Sequence, residues 1–133
     1  MSHLLISKLV ILNMEALHSA ALQTDVSVIT HLVPTKVFMG YTEEGDINEV
    51  MAKHTLTLRG HERPVVIMDD GTVVWDDYGY NKATKEDVRQ LFTRYNLIDA
   101  VHQAREEFGS EAIFTEPTMN ENGCVELDII LEA

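Results

Sequence analysis

The chain has a single cysteine, Cys124, in 133 residues. One thiol cannot form an intrachain disulfide or a multi-thiolate metal site, so a reducing cytoplasmic compartment is the natural setting. Prolines number only three and aromatic residues make up only 7%, yet 45% of the chain is hydrophobic. That balance argues against a disordered tract and for a packed core. Long apolar runs are also missing. The opening MSHLLISKLVIL is interrupted by Lys8 and lacks both a basic leader and a small-residue cleavage site. It is expected to be neither a membrane span nor a signal peptide, and a strand over residues 4–12 fits it better.

Basic residues are scarce and unevenly placed. The formal net charge is −12, which disfavours nucleic acid and anionic membrane surfaces as partners. Residues 51–105, however, carry eight of the ten basic residues against eight acids, while residues 106–133 carry eight acids and no base. A balanced middle therefore precedes an acidic C-terminal strand region. The length fits one domain, 1–133, large enough to bury a core.

The clearest local signal is residues 64–80, PVVIMDDGTVVWDDYGY. Two β-rich arms, Val65–Met68 and Thr72–Trp75, flank Asp70-Gly71, a dipeptide suited to a two-residue type I′ turn. Few arm residues are polar, which places this hairpin in the middle of a sheet. Upstream, Asn13 reads as an N-cap, with Met14, Leu17, Ala21 and Leu22 on one face of a helix reaching Gln23. Val26–Thr30 and Lys36–Tyr41 read as two strands separated by Pro34. Ile47, Val50, Met51 and His54 have helical spacing, and Thr55–Arg59 reads as a short strand. Downstream, Thr84 and Asp87 resemble a capping box. Val88, Leu91, Phe92, Tyr95, Ile98, Val101 and Phe108 then predict a helix over 85–108, with Gly109 as its C′ residue. Ala112–Thr115 and Cys124–Leu131 read as the last strands, joined through an Asn122-Gly123 hairpin turn. The expected fold is α+β: a two-layer sandwich, mostly antiparallel β-sheet, with two helices (one long) on one face.

The order of residues is familiar as well. Met1-Ser2-His3, Asp70-Gly71-Thr72 with Trp75 and Asp76, Arg94-Tyr95, the Ala104–Gly109 helix end and the terminal Asn-Gly strand follow one another across nearly the whole chain. In this the chain resembles the hypothetical chloroplast reading frame thirty-five group, whose relatives occur in cyanobacteria, other bacteria and phages. Residues 30–64 match poorly, and the last strand carries Glu126, Asp128 and Glu132 where the group is more basic. The resemblance implies the fold and supplies no mechanism.

Chemistry-bearing patterns are sparse. His3, His18, His31, His54, His61 and His102 show neither HxxxH nor HExxH spacing, and His54 and His61 are expected to flank an exposed strand. Asp69, Asp70, Asp76 and Asp77 surround the hairpin, where turn and strand-end roles account for them. A hydrolase using Asp76, Asp77 and histidines gathered by the fold is the weakest reading. Cys124 has no histidine near it in sequence, no Ser lies in GxSxG, and no glycine-rich phosphate loop is present. No catalytic residue, metal or cofactor is therefore expected.

What remains is basic and aromatic. Lys53, Arg59, His61 and Arg63, followed by Trp75, Tyr78, Tyr80, Lys82 and Lys85, combine cations for phosphates with rings for bases. Stacking is worth about 1–3 kcal/mol per base. This points to a small non-enzymatic single-stranded nucleic-acid-binding protein, a replication or transcription accessory, acting in the host cytoplasm if phage-encoded. The competing account is a solvated face with Trp75 in the core and Arg89 and Arg94 paired with Glu86, Asp87 or Asp99. The alternative function is a protein-interaction module using the acidic C-terminal strand or a sheet edge, with a polymerase as one kind of partner. Apolar edges such as 4–12 or 125–131 also favour a homo-oligomer.

Overall fold

In the computed structural model the backbone is described for residues 4–42, 44–60, 63–76, 82–121 and 125–130. Side chains are described for the same residues except 4–9, 76, 82–85 and 129. The chain runs β1 (Leu4–Val10), α1 (Met14–Gln23), β2 (Val26–Tyr41), β3 (Ile47–Leu58), β4 (Val65–Ile67), β5 (Thr72–Asp76) and α2 (Lys82–Phe108). Four short strands follow: β6 (Ile113–Phe114), β7 (Thr118–Met119), β8 (Val125–Glu126) and β9 (Ile129–Ile130). The first five strands form one antiparallel sheet in the order β1-β5-β4-β3-β2. The two helices cover one of its faces, giving the α+β two-layer arrangement.

Alternation along the strands and helical spacing build the core between these layers. Ala16, Leu17, Ala20 and Ala21 of α1 meet Val88, Leu91, Phe92 and Tyr95 of α2 over Leu56, Leu58, Val65, Ile67 and Val73. The small alanines let α1 lie close to the sheet, so the buried face of α1 turns away from Leu22, which is 85% exposed. Asn13 caps α1 as its sequence implies, its Oδ1 accepting from Ala16 N at 3.1 Å. The long helix begins at Lys82, so Thr84 lies inside it rather than at its cap. It ends as expected: Gly109, at φ 100°, donates its N–H to Arg105 O at 2.9 Å.

The β4–β5 hairpin does occupy the middle of the sheet, but its turn is not type I′. Gly71 N donates to Met68 O at 2.9 Å and Met68 N to Thr72 O at 2.8 Å. Only Gly71, and not Asp70, has positive φ. This is a three-residue loop, a type I turn closed by a glycine bulge, the next commonest solution after the two-residue turns. Asp70 fixes it by accepting from Thr72 N at 2.9 Å. That bond, made to the ionised form, holds the Asp70 carboxyl below its ordinary pKa.

Residues 26–58 depart most from expectation. The two expected strands at 26–30 and 36–41 are one strand, β2, and the helical spacing of 47–54 belongs to a strand, β3. Between the Thr30–His54 and Thr35–Ala52 pairs, β2 uses four residues, 31–34, against the single Lys53 of β3. Such an excess bends and twists the bulged strand. Beyond it the β2–β3 ribbon leaves the plane of the sheet and curls over the face opposite the helices. Met39, Ala52, Val37 and Val50 pack there on Val66 and Met68. Side chains alternate across β4, so Val65 and Ile67 face the helices while Val66 faces the ribbon. The helix-like spacing of 47–54 is the pattern of a strand whose buried side changes partners along its length.

At the C-terminal end, β6 pairs with β9 and β7 with β8. The expected single strand 124–131 is thus two, separated at Asp128, whose N–H donates to Thr115 Oγ1 at 2.8 Å. The Asn122-Gly123 turn lies outside the described residues. β7 and β8 lie against α2 rather than joining the main sheet, so of the two apolar edges expected, only the first belongs to that sheet.

A Cβ added to Gly71 would lie 2.7 Å from Ile11 O and 2.7 Å from Val10 Cγ1. Gly60 also has positive φ, at 81°, but nothing stands within 4 Å of its Cβ position. Gly60→Ala is therefore expected to cost about 1–2 kcal/mol, the left-handed backbone term alone. Gly71→Ala is expected to cost at least about 1 kcal/mol more, through displacement of β1. Urea denaturation of both variants checks the difference.

Candidate functional site

Of the basic and aromatic residues singled out by the sequence, the four whose side chains are described, Lys53, Arg59, Arg63 and Trp75, have separate partners. Lys53 stands opposite the bulge and its Nζ reaches Leu32 O at 3.5 Å. Arg59, just past β3, faces Asp25 at 3.6 Å, with both side chains well exposed. A pair so open to solvent contributes little. Arg63 lies over the ring of Phe38, with Cζ 5.0 Å from the centroid. Trp75 is half-buried on the helix side, packed against the main core and 6.1 Å from Phe92. Much of its ring is occupied by the core and is not offered to a base. His61, Tyr78 and Tyr80 lie outside the described residues, as do the side chains of Lys82 and Lys85. Arg89 pairs with Glu86 at 2.6 Å; the bond lowers the Glu86 pKa and raises that of Arg89.

Two groupings emerge that sequence reading missed. The first is the outward side of the ribbon. Its inner side carries Val37, Met39, Val50 and Ala52; strand alternation therefore turns Lys36, Phe38, Glu49 and Met51 outward, and all four are exposed. Phe38 and Tyr41 meet edge-on, with centroids 5.2 Å apart. Phe38, Met51, Tyr41 and Ile47 are 39%, 42%, 51% and 58% exposed, an apolar patch beside the fully open Leu32 at the bulge. The signal was present as Phe38 and Tyr41 in a β-rich stretch, but the bulge that orients them leaves no mark except Pro34.

The second grouping ties β1, α1 and α2 together. Leu12 N and Asn13 N both donate to Tyr95 Oη, at 3.3 and 3.2 Å. Asn13 Nδ2 donates to Asp99 Oδ1 at 2.8 Å and lies 3.0 Å from His102 Nδ1. With Asn13 Oδ1 capping α1, the amide orientation is set, so His102 Nδ1 accepts and the neutral ring carries its proton on Nε2. A groove of about 660 Å³ opens beside this cluster, between Leu12 and Glu15 on one wall and His102 and Glu106 on the other. Asn13 thus places its backbone N–H, its Oδ1 and its Nδ2 in bonds that join the start of α1 to α2. Tyr95, Asp99 and His102 follow helical spacing and continue the buried stripe of α2 in polar form, a signal visible in hindsight.

His54, expected beside an exposed strand, is 8% exposed. Its Nδ1 lies 3.0 Å from Thr30 Oγ1. Burial above all, then Lys53, His18 and His31, lowers its pKa. Among the described residues no group of three or more His, Cys, Asp or Glu could hold a metal ion. No helix among the described residues is long and apolar enough to cross a membrane.

No family model, curated protein or solved structure matches the chain. The resemblance to the chloroplast reading-frame group accordingly remains an expectation, and no residue role is carried over from a relative.

Tyr95→Phe is expected to lower stability by about 1–3 kcal/mol, because the Leu12 and Asn13 N–H groups lose their acceptor in a partly buried site. Urea denaturation measures this, and a variant as stable as the wild type would show that water replaces the phenol without loss.

Proposed function

We propose that the chain is a non-enzymatic interaction protein, a single domain that engages a protein partner through the outward side of the β2–β3 ribbon. The observation that carries this reading is the gathering of Phe38, Tyr41, Ile47 and Met51 on the exposed side of an element whose other side is packed. Exposed apolar side chains are ordinary when scattered, but contiguous ones mark contact surfaces. Aromatic residues and Met are enriched at such surfaces, and an arginine stacked on an aromatic ring is a frequent anchor. The acidic balance of the chain, −12 overall, favours a partner with basic residues around an apolar centre.

Single-stranded nucleic acid is the second reading, and Arg63 over Phe38 is the observation that favours it. The same pair supports base stacking with a nearby cation. Against it stand the acids Glu44, Asp46 and Glu49 in the same ribbon, which repel phosphate.

Two measurements on the purified chain separate the readings. Affinity capture is expected to retain a partner on the wild type and on Arg59→Ala, and to lose it at least ten-fold on Phe38→Asp. Anisotropy with labelled single-stranded oligonucleotides at about 50 and about 200 mM salt is expected to show no salt-dependent binding. Binding that weakens steeply with salt and disappears in Arg63→Ala would replace the first reading with the second.

A further inference from the structure

We propose that the helical layer carries a separate binding site for a small anion with an apolar body. The site is a shallow hollow between the end of α1, the second half of α2 and the β6–β7 connection. It lies on the opposite side of the sheet from the β2–β3 ribbon and stands whatever engages that surface.

Helical spacing builds the hollow. Arg94, Ile98, Val101 and Arg105 stand three or four residues apart, so they follow one another along one face of α2. Earlier in the helix the stripe of Val88, Leu91, Phe92 and Tyr95 is consumed by the core. Leu97, Ile98 and Val101 are only partly buried and form the apolar part of the hollow. Gln23, the last residue of α1, and Pro117, between β6 and β7, complete the lining. The volume is about 210 Å³, room for about seven waters at about 30 Å³ each. A ring or short chain bearing one acidic group is of that size.

The charge of this lining sets it apart. The chain has 22 acids against ten lysines and arginines, yet no carboxylate lines the hollow, whereas Arg94, Arg105 and His102 do. Asp99 and Glu106, on the same helix, line the larger groove beside Tyr95. Among the described residues Arg94 and Arg105 have no ion-pair partner, unlike Arg59 and Arg89. His102 adds a donor: its Nδ1 accepts from Asn13, which leaves the Nε2–H of the neutral ring for a ligand. Apolar walls with a few polar groups at the margin are the usual makeup of a small-molecule site. Guanidinium groups fork onto carboxylate or phosphate oxygens, and an apolar body attached to the acid covers Leu97, Ile98, Val101 and Pro117. The net charge of −12 opposes an anion from a distance. That field is screened beyond about 8 Å at physiological salt, whereas the two arginines act at contact.

The test is an amide NMR titration of the full chain in a buffer free of carboxylate and phosphate. The probes are benzoate and phenyl phosphate, with benzyl alcohol as the uncharged match and acetate as the anion without a body. Benzoate or phenyl phosphate is expected to shift the amides of residues 94–105 saturably, with a Kd of about 1 mM or below, and to leave those of the ribbon in place. The tighter of the two tells whether the site suits a carboxylate or a phosphate. Arg94→Gln and Arg105→Gln are each expected to weaken binding at least about ten-fold, while Arg59→Gln, outside the lining, leaves it unchanged. Both lining arginines are exposed, so these variants are expected to keep the wild-type fold, which their spectra report directly. No saturable shift at 94–105 with either probe would overturn the proposal. Benzyl alcohol binding as tightly would reduce the site to an apolar hollow, and acetate binding as tightly would leave an adventitious ion only; each overturns it. Undiminished affinity in either arginine variant overturns it as well.

Discussion

An antiparallel pair with unequal numbers of residues cannot stay flat. In this chain the largest inequality lies where residues 31–34 of β2 face Lys53 of β3. The surplus forces the strands to bend, and much of the molecule follows from that bend. It carries the ribbon over the second face of the sheet, so Val66, which would otherwise face water, is buried. It brings β2 into contact with β5, although β3 and β4 stand between them in the sheet. It also interrupts the long edge of β2. The bulge, Pro34 and the neighbouring Lys36 are three recognised ways of blunting an edge against uncontrolled pairing. The ribbon therefore presents its side chains to the surroundings more readily than its backbone.

The helical side depends on a different economy of polar groups. Where β1 gives way to α1, Leu12 and Asn13 turn their N–H groups away from any strand partner, and the phenol of Tyr95 receives both. Asn13 then joins the start of α1 to Asp99 and His102 of α2. Groups that would be costly if left unpaired instead set the register between the helices. The cluster joins the end of β1 and the start of α1 to the middle of α2.

How much of this was legible depends on the range of the forces involved. The α+β arrangement, the central hairpin, the Asn13 cap, the apolar stripe of α2 from Val88 to Ile98 and the Gly109 stop all rest on local pattern and were readable. Phe108, expected on the same stripe, is instead 55% exposed. Asp70-Gly71 was read correctly as a turn and incorrectly as its type, because both turn types want glycine there and the choice lies in whether Asp70 joins it at positive φ. Residues 47–54 were misread because their apolar spacing records two partners: the helix-side core beyond His54 and the curled ribbon before it. No local rule encodes a surplus of strand residues. The outward patch at Phe38 and Tyr41 was missed for the same reason, and the joint at Tyr95 because its partners lie more than eighty residues away.

The strand order has a bearing on how the molecule assembles. β2 to β5 pair with their sequence neighbours, so this meander can form progressively as the chain emerges. β1 is the exception: Leu4 pairs with Asp76 and Ile11 N donates to Gly71 O. The earliest strand in the chain must therefore wait for the fifth, and α1 can reach its capped position beside Tyr95 only after most of α2 exists. Closing so long a loop delays non-local pairing and lowers the folding rate. During synthesis the apolar first segment remains without its strand partner for more than half the length of the chain, the interval in which a chaperone would find its hold.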